Sequence, residues 1–180
     1  NRRVEEAADR EGIEEAELVV PSPGVPLDAP PLLRARAAGA DVVSEIEVAS
    51  WIAPCPIIAV TGTKGKSTTS ALIGEMLKGE GKAARVGGNI GRPLIALADR
   101  ATADELLVAE VSSFQLEATR SFRPKVGVLL NLFPDHLDRH RDMAEYRAAK
   151  AKLFANQGPE DAAVINRDDA EAWGLRESTR

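Results

Sequence analysis

Apolar residues in this chain fall into short runs that alternate with stretches of helical spacing. Residues 18–20 read as the end of a short buried strand, closed by the turn PSPGVP. Residues 31–38 read as a helix stopped by Gly39, 41–43 as another short strand, and 45–51 as a short helix. Prolines in APCP, residues 53–56, block both a helix and a central strand, so a linker is expected there. Past it, the β-branched run at 57–60 predicts a buried strand. Residues 67–78 place Ala71, Leu72, Met76 and Leu77 at helical spacing, with Gly79 and Gly81 as stops. Residues 83–86 lead into GGNIGRP. Further strands are expected at 106–111, 126–130 and 162–165, and a helix rich in Ala and Lys at 142–154. Strand and helix alternating in this way predict an α/β fold with a mainly parallel sheet covered by helices.

Composition narrows the classes. With 44% apolar residues the chain can bury a core. A net charge of −5 provides no basic field for nucleic acid. The one cysteine, Cys55, cannot form an internal disulfide and reads as a small core residue in a reducing, cytoplasmic setting. No apolar run is long enough for a membrane span.

The stretch VTGTKGKSTTS at 60–70 carries the first candidate chemistry. The usual phosphate loop wants glycine five residues before Gly65, and Val60 stands there. The context compensates: a buried strand enters the loop and a helix leaves it. Unpaired N–H groups and the dipole at that helix start favour an anion. Gly62 and Gly65 let the backbone approach a phosphate, Lys66 offers a charge, and Ser67 or Thr68 a hydroxyl for Mg²⁺. The alternative is a capped helix start with a surface lysine.

Three further stretches could complete such a site. In AEVSSFQLE, 109–117, Glu110 ends a strand where open parallel sheets place ligands, and a carboxylate there suits Mg²⁺. It could equally face water. NLFPDHLDRH, 131–140, holds both histidines beside acid and amide groups, a set that reads as metal or phosphate contacts or as a polar loop whose His136 caps the next helix. In GGNIGRP, 87–93, paired glycines could present Asn89 or form a plain turn. Lys150, in YRAAKAK, reads as a solvated residue of an Ala-rich helix.

Together and in this order, these stretches resemble the Mur ligase family, the ATP-dependent enzymes that add amino acids to the peptidoglycan precursor. That family has a shortened loop of the GT-x-GK-(S/T)-T form, as at 62–68. SSFQLE, GGNIG, DHLDRH and the SPGVP of 22–26 are similar to the branch that joins D-glutamate to UDP-N-acetylmuramoyl-L-alanine through an acyl phosphate. Folylpolyglutamate synthase, a cousin with the same loop, or a nucleotide-binding remnant are the alternatives.

The resemblance implies roles. Gly62, Thr63, Lys64, Gly65, Lys66, Ser67 and Thr68 would cradle the ATP phosphates. Ser67 and Glu110 would hold a first Mg²⁺ and His136 a second. Lys150 matches the lysine that reacts with CO₂, and its carbamate would help place the second metal. Lys66, His136 and Lys150 are thus the implied catalytic residues. Asn89, Ser112 and Gln115, with Ser22 and Gly24 near the diphosphate, would contact the UDP-muramoyl substrate. Lys64 departs from the asparagine of many relatives. The resemblance also implies that residues 1–53 end an N-terminal substrate domain and 54–180 begin the ATP-binding domain. The chain opens at Asn1 without methionine, so a fragment lacking the C-terminal domain, inactive in ligation by itself and monomeric, is the expectation.

Overall fold

The computed structural model describes residues 12–136 and 139–179. In chain order the elements are β1 (Leu18–Val19), α1 (Pro30–Ala37), β2 (Asp41–Val42), α2 (Glu45–Ile52), β3 (Ile57–Thr61) and α3 (Lys66–Gly79). There follow β4 (Ala84–Gly88), α4 (Leu94–Ala98), β5 (Leu106–Glu110), α5 (Ser113–Glu117) and β6 (Val126–Leu129). The chain then forms α6 (Met143–Ala151), β7 (Ala162–Ile165) and α7 (Ala170–Trp173).

β3 to β7 form one sheet in the order β4-β5-β3-β6-β7, parallel at every pairing. The expected parallel α/β sheet is therefore present. Its central strands β3 and β5 are buried along nearly their whole length, whereas β7 at the edge is mostly exposed. That explains their continuous apolar sequences, since a strand covered on both faces has no polar side to show. β4 shows how the faces are covered. A Cβ on Gly74 of α3 would meet Val86, and one on Gly87 would meet Leu97 of α4. Val86 and Gly87 are consecutive and point to opposite faces, so α3 and α4 lie on opposite sides.

The chain leaves β3 toward one edge of the sheet and β6 toward the other. The loops after these two neighbours diverge, and a crevice at such a point is where open α/β sheets hold ligands.

β1 and β2 form a separate parallel pair, closed by α1 over a small cluster around Leu32, Ala35 and Val42. α2, which precedes residue 53, packs with the main core. Ile46 and Ala49 of α2 are buried in the main core with Leu94, Leu97 and Leu116, ahead of the APCP turn. Glu47 fastens α2 in place. Its carboxylate is fully buried and accepts from the backbone N–H groups of Arg120, Ser121 and Phe122 at 2.8–2.9 Å and from Trp51 Nε1 at 3.1 Å. Burial alone would raise its pKa, but the Ser121 hydroxyl and these N–H donors outweigh it and hold it below the usual range.

The helix expected over 142–154 stops at Ala151, and residues 152–156 turn instead. Asp142 caps it by accepting from the Glu145 N–H at 2.8 Å, so the cap is not His136. Cys55 is buried, as a core residue should be. Among the described residues no helix is long and apolar enough to cross a membrane.

Candidate functional site

The loop at 62–65 joins the C-terminal end of β3 to α3. Gly65 starts the helix at φ 84°, a left-handed conformation that a side chain would resist. Among the described residues no side chain caps the first turn of α3, so its leading N–H groups are open to an anion. Lys66 folds back over the loop, and its Nζ donates to the carbonyls of Gly62 and Thr63, each at 3.0 Å.

Asn131, just after β6, holds the loop from the neighbouring strand. Its Oδ1 accepts from the Thr63 and Lys64 N–H groups at 3.0 and 2.9 Å, and its Nδ2 donates to the Lys64 carbonyl at 3.0 Å. Thr63 is tied further, with its hydroxyl 3.1 Å from the Tyr146 hydroxyl. The sequence reads this amide as a metal or phosphate contact or as part of a polar loop; its contacts here are with the loop backbone.

Glu110 ends β5 beside this loop and is 2% exposed. Ser67 Oγ donates to its Oε2 at 2.7 Å, and Asn89 Nδ2 donates to its Oε1 at 2.8 Å. The two residues named for the first Mg²⁺ thus meet. A hydroxyl and a carboxylate are hard oxygen donors of the kind Mg²⁺ takes together with water and phosphate oxygens, so the residues fit that ion. Asn89 is presented by Gly88, whose φ is 104° and where a Cβ would sit 2.4 Å from the Glu110 carbonyl. Gly88 is therefore required by the close approach of β4's end to β5, and Gly87 by the Arg92 carbonyl, 2.4 Å from where its Cβ would stand.

Lys150 is 1% exposed, against the solvated reading of its helix. Its Nζ donates to Thr61 Oγ1 at 3.1 Å and to the Gly62 carbonyl at 3.2 Å, and lies 4.9 Å from the Tyr146 ring centroid. Burial, reinforced by the charge of Lys66, lowers its pKa to about 7.

Other expected residues stand farther out. His136 is about half exposed, has φ 54°, and faces Asp135 at 3.6 Å and the Phe114 ring at 4.9 Å. Among the described residues no three His, Cys, Asp or Glu side chains converge as a metal cluster. Ser112 and Gln115 form a capping box on α5: the Gln115 N–H donates to Ser112 Oγ at 3.2 Å, and Gln115 Oε1 accepts from the Ser112 N–H at 3.0 Å. Gln115 and Ser22 line one narrow crevice with Glu45 and Phe114, and Gly24 is exposed nearby. A cavity of about 290 Å³ opens at the opposite end of the sheet, beside Trp51 and Cys55 and away from these groups.

A parallel sheet with an uncapped helix, a lysine-bearing loop and a hydroxyl–carboxylate pair at its C-terminal edge defines a phosphate-loop α/β domain. Residues 60–179 match the Mur ligase middle domain. The chain is 55% identical over 169 residues to the UDP-N-acetylmuramoylalanine–D-glutamate ligase of Pelotomaculum thermopropionicum, covering 94% of this chain and 37% of that protein. It is 51% identical over 164 residues to the protein of the same name from Alkaliphilus oremlandii, covering 91% of this chain and 36% of that one. Among solved structures it is similar to a UDP-N-acetylmuramoyl-L-alanyl-D-glutamate–2,6-diaminopimelate ligase, with a TM-score of 0.59, 26% identity, and coverage of 89% of this chain and 45% of the other. In fold alone it is similar to the Neisseria UDP-N-acetylmuramate:L-alanyl-γ-D-glutamyl-meso-diaminopimelate ligase, with a TM-score of 0.63, 18% identity, and coverage of 91% of this chain and 56% of that one. The chain belongs to the Mur ligase family. It spans a little over a third of the length of these two curated D-glutamate ligases.

Proposed function

We propose that this chain is the nucleotide-binding part of an ATP-dependent, ADP-forming ligase that joins D-glutamate to UDP-N-acetylmuramoyl-L-alanine in peptidoglycan synthesis. The observation that carries the reading is the Ser67–Glu110 contact at 2.7 Å beside the uncapped start of α3. The two D-glutamate ligases that match it so closely name the acceptor.

ATP, when bound, supplies the phosphoryl group that turns the alanyl carboxylate into an acyl phosphate open to attack by the amine of D-glutamate. The chain's own residues make this possible by managing charge. The N–H groups at the start of α3 take the phosphates. Lys66 exchanges two loop carbonyls for phosphate oxygens. Ser67 and Glu110 offer oxygen donors to Mg²⁺, and Asn89 keeps Glu110 oriented until then. Asn131 keeps the loop from collapsing when Lys66 leaves it.

Lys150 suits carbamylation, because only a neutral amine attacks CO₂. With a pKa of about 7 it is neutral in about half the molecules at pH 7. The attack forms a C–N bond, gives a carbamate anion and releases one proton. The product could serve a second Mg²⁺ with His136. Ser22, Gly24, Ser112 and Gln115 are assigned to the UDP-muramoyl substrate. Residues 1–53 are assigned to its N-terminal domain and 54–180 to the ATP domain, with α2 as the joint. A cytoplasmic monomer is the expected form.

Calorimetric titration of Mg²⁺-ATP tests the nucleotide site. Lys66→Ala is expected to weaken binding by at least about tenfold. Equal binding by both proteins would remove the phosphate-loop assignment. Phosphate release by the protein as its gene encodes it, given D-glutamate with UDP-N-acetylmuramoyl-L-alanine or L-glutamate with a folate, separates the two ligase readings.

A further inference from the structure

We infer that Arg139 and His140 form a latch between the turn at 22–25 and the loop that carries His136, so that a ligand held by the turn positions that loop. That the turn holds a ligand, and which one, rests on the function proposed above; the latch itself rests on the contacts of Arg139 and His140. The Arg139 side chain is 17% exposed, and its guanidinium reaches two separate segments. Nη2 donates to Glu117 Oε2 and to the Val25 carbonyl, each at 3.1 Å, and Nη1 reaches the Gly24 carbonyl at 3.4 Å. The group also lies 5.2 Å from the Phe114 ring centroid. A planar fork can serve a carboxylate and two backbone oxygens together, whereas a lysine ammonium is a point charge.

His140 fixes the same loop to α5. Its ring is fully buried, with Nε2 2.9 Å from Ser113 Oγ and Nδ1 3.3 Å from Glu117 Oε1. Ser113 and Glu117 stand four apart on α5, hence on one face. Glu117 therefore meets Arg139 with one oxygen and His140 with the other. Phe114 stacks on His140 at 5.5 Å and touches His136 at 4.9 Å. The His140 N–H donates to the His136 carbonyl at 2.9 Å. The Ser–His–Glu order is that of an activated nucleophile, but without the His–Glu hydrogen bond, since the buried Nδ1 has no hydrogen-bond partner. Here, however, Ser113 is 2% exposed and His140 0%, so no substrate reaches the hydroxyl. The arrangement is mechanical. Displacing the 22–25 turn shifts two of Arg139's acceptors, and Glu117, Phe114 and His140 pass the shift to His136. Arg139 is accordingly a positioning residue.

Hydrogen–deuterium exchange on the protein as its gene encodes it tests this. Without ligand, Arg139→Gln is expected to speed exchange in peptides covering 132–142 by about tenfold, with β3 and α3 unchanged. Arg139→Lys keeps a charge against Glu117 and is expected to stay within about threefold of wild type there. With UDP-N-acetylmuramoyl-L-alanine added, wild-type protection covers both 20–28 and 132–142, while in Arg139→Lys it stops at 20–28. A plain ion pair would be rescued by lysine in both conditions. Three results overturn the latch: unchanged exchange at 132–142 in Arg139→Gln, wild-type protection confined to 20–28, or ligand protection of 132–142 in Arg139→Lys equal to that in wild type. If the ligand protects nothing at 20–28 in wild type, the substrate reading fails instead, and the ligand-free comparison alone decides the latch. Should Arg139→Gln not fold, the contrast between wild type and Arg139→Lys still decides it.

Discussion

Replacing Lys150 with methionine probes the buried charge beneath the phosphate loop. The unfolded chain keeps the lysine proton up to its ordinary value of 10.5, while burial and Lys66 make the folded chain release it near 7. Between those values the unfolded state binds more protons, so the folded state gains stability as pH rises. Below about 7 both forms are charged and the cost of burying the ammonium is constant. At about 1.4 kcal/mol per pH unit, with the onset at the folded pKa, the gain from pH 7 to pH 9 is about 2 kcal/mol. Urea unfolding at pH 7, 8 and 9 in CO₂-free buffer, followed by tryptophan fluorescence, measures it. The wild-type free energy minus that of Lys150→Met should rise by that amount across the interval. Parallel curves for the two proteins would show that the amine is not held neutral, and the case for carbamylation would lose its physical basis. Bicarbonate added at pH 8 should further stabilise wild type and leave the methionine variant unchanged.

Three other outcomes are expected from the packing. Glu47→Ala strands the N–H groups of Arg120, Ser121 and the buried Phe122, and should cost roughly 3–5 kcal/mol in urea unfolding. Asn131→Ala frees the Lys64 N–H group and leaves the Thr63 N–H only the backbone carbonyl of residue 131 at 3.0 Å, and should weaken Mg²⁺-ATP binding about tenfold by calorimetry with little change in melting temperature. Gly88→Ala puts a methyl 2.4 Å from the Glu110 carbonyl at a left-handed φ, and should lower stability by roughly 2–4 kcal/mol in the same urea assay.

The strands were the most legible part of the fold, because the apolar runs at 57–60 and 162–165 are too short to be read as helices. The five-residue helices α4 and α5 were not legible, since one and a half turns leave no period to detect. In the site, the loop and Glu110 were visible from strand–turn–helix order alone. Lys150 was not visible from composition, although a pattern was available. It stands four after Tyr146, which is almost fully buried, and so on the inward face of α6. Ala-rich sequence masked that stripe. Asn131 and Glu47 act through acceptors aimed at backbone N–H groups 67–68 and 73–75 positions away, and no local pattern encodes such pairings. Ser112 and Gln115 show the converse. Their S-x-x-Q spacing is a local capping pattern, and the structure uses it as one.

Glu47 also sets an order of events in time. Its partners lie 73–75 residues later in the chain, so α2 cannot be fastened until synthesis has passed Phe122. At about 5–20 residues per second, its carboxylate waits for several seconds or more beside a growing ribosomal product. Ile46 and Ala49 wait with it, apolar and uncovered, since the core they enter is built from β3, β5 and the elements after them. The segment most exposed to chaperones and proteases during biogenesis is therefore α2, the joint between the two clusters. A nascent chain arrested before residue 118 should be cleaved there first.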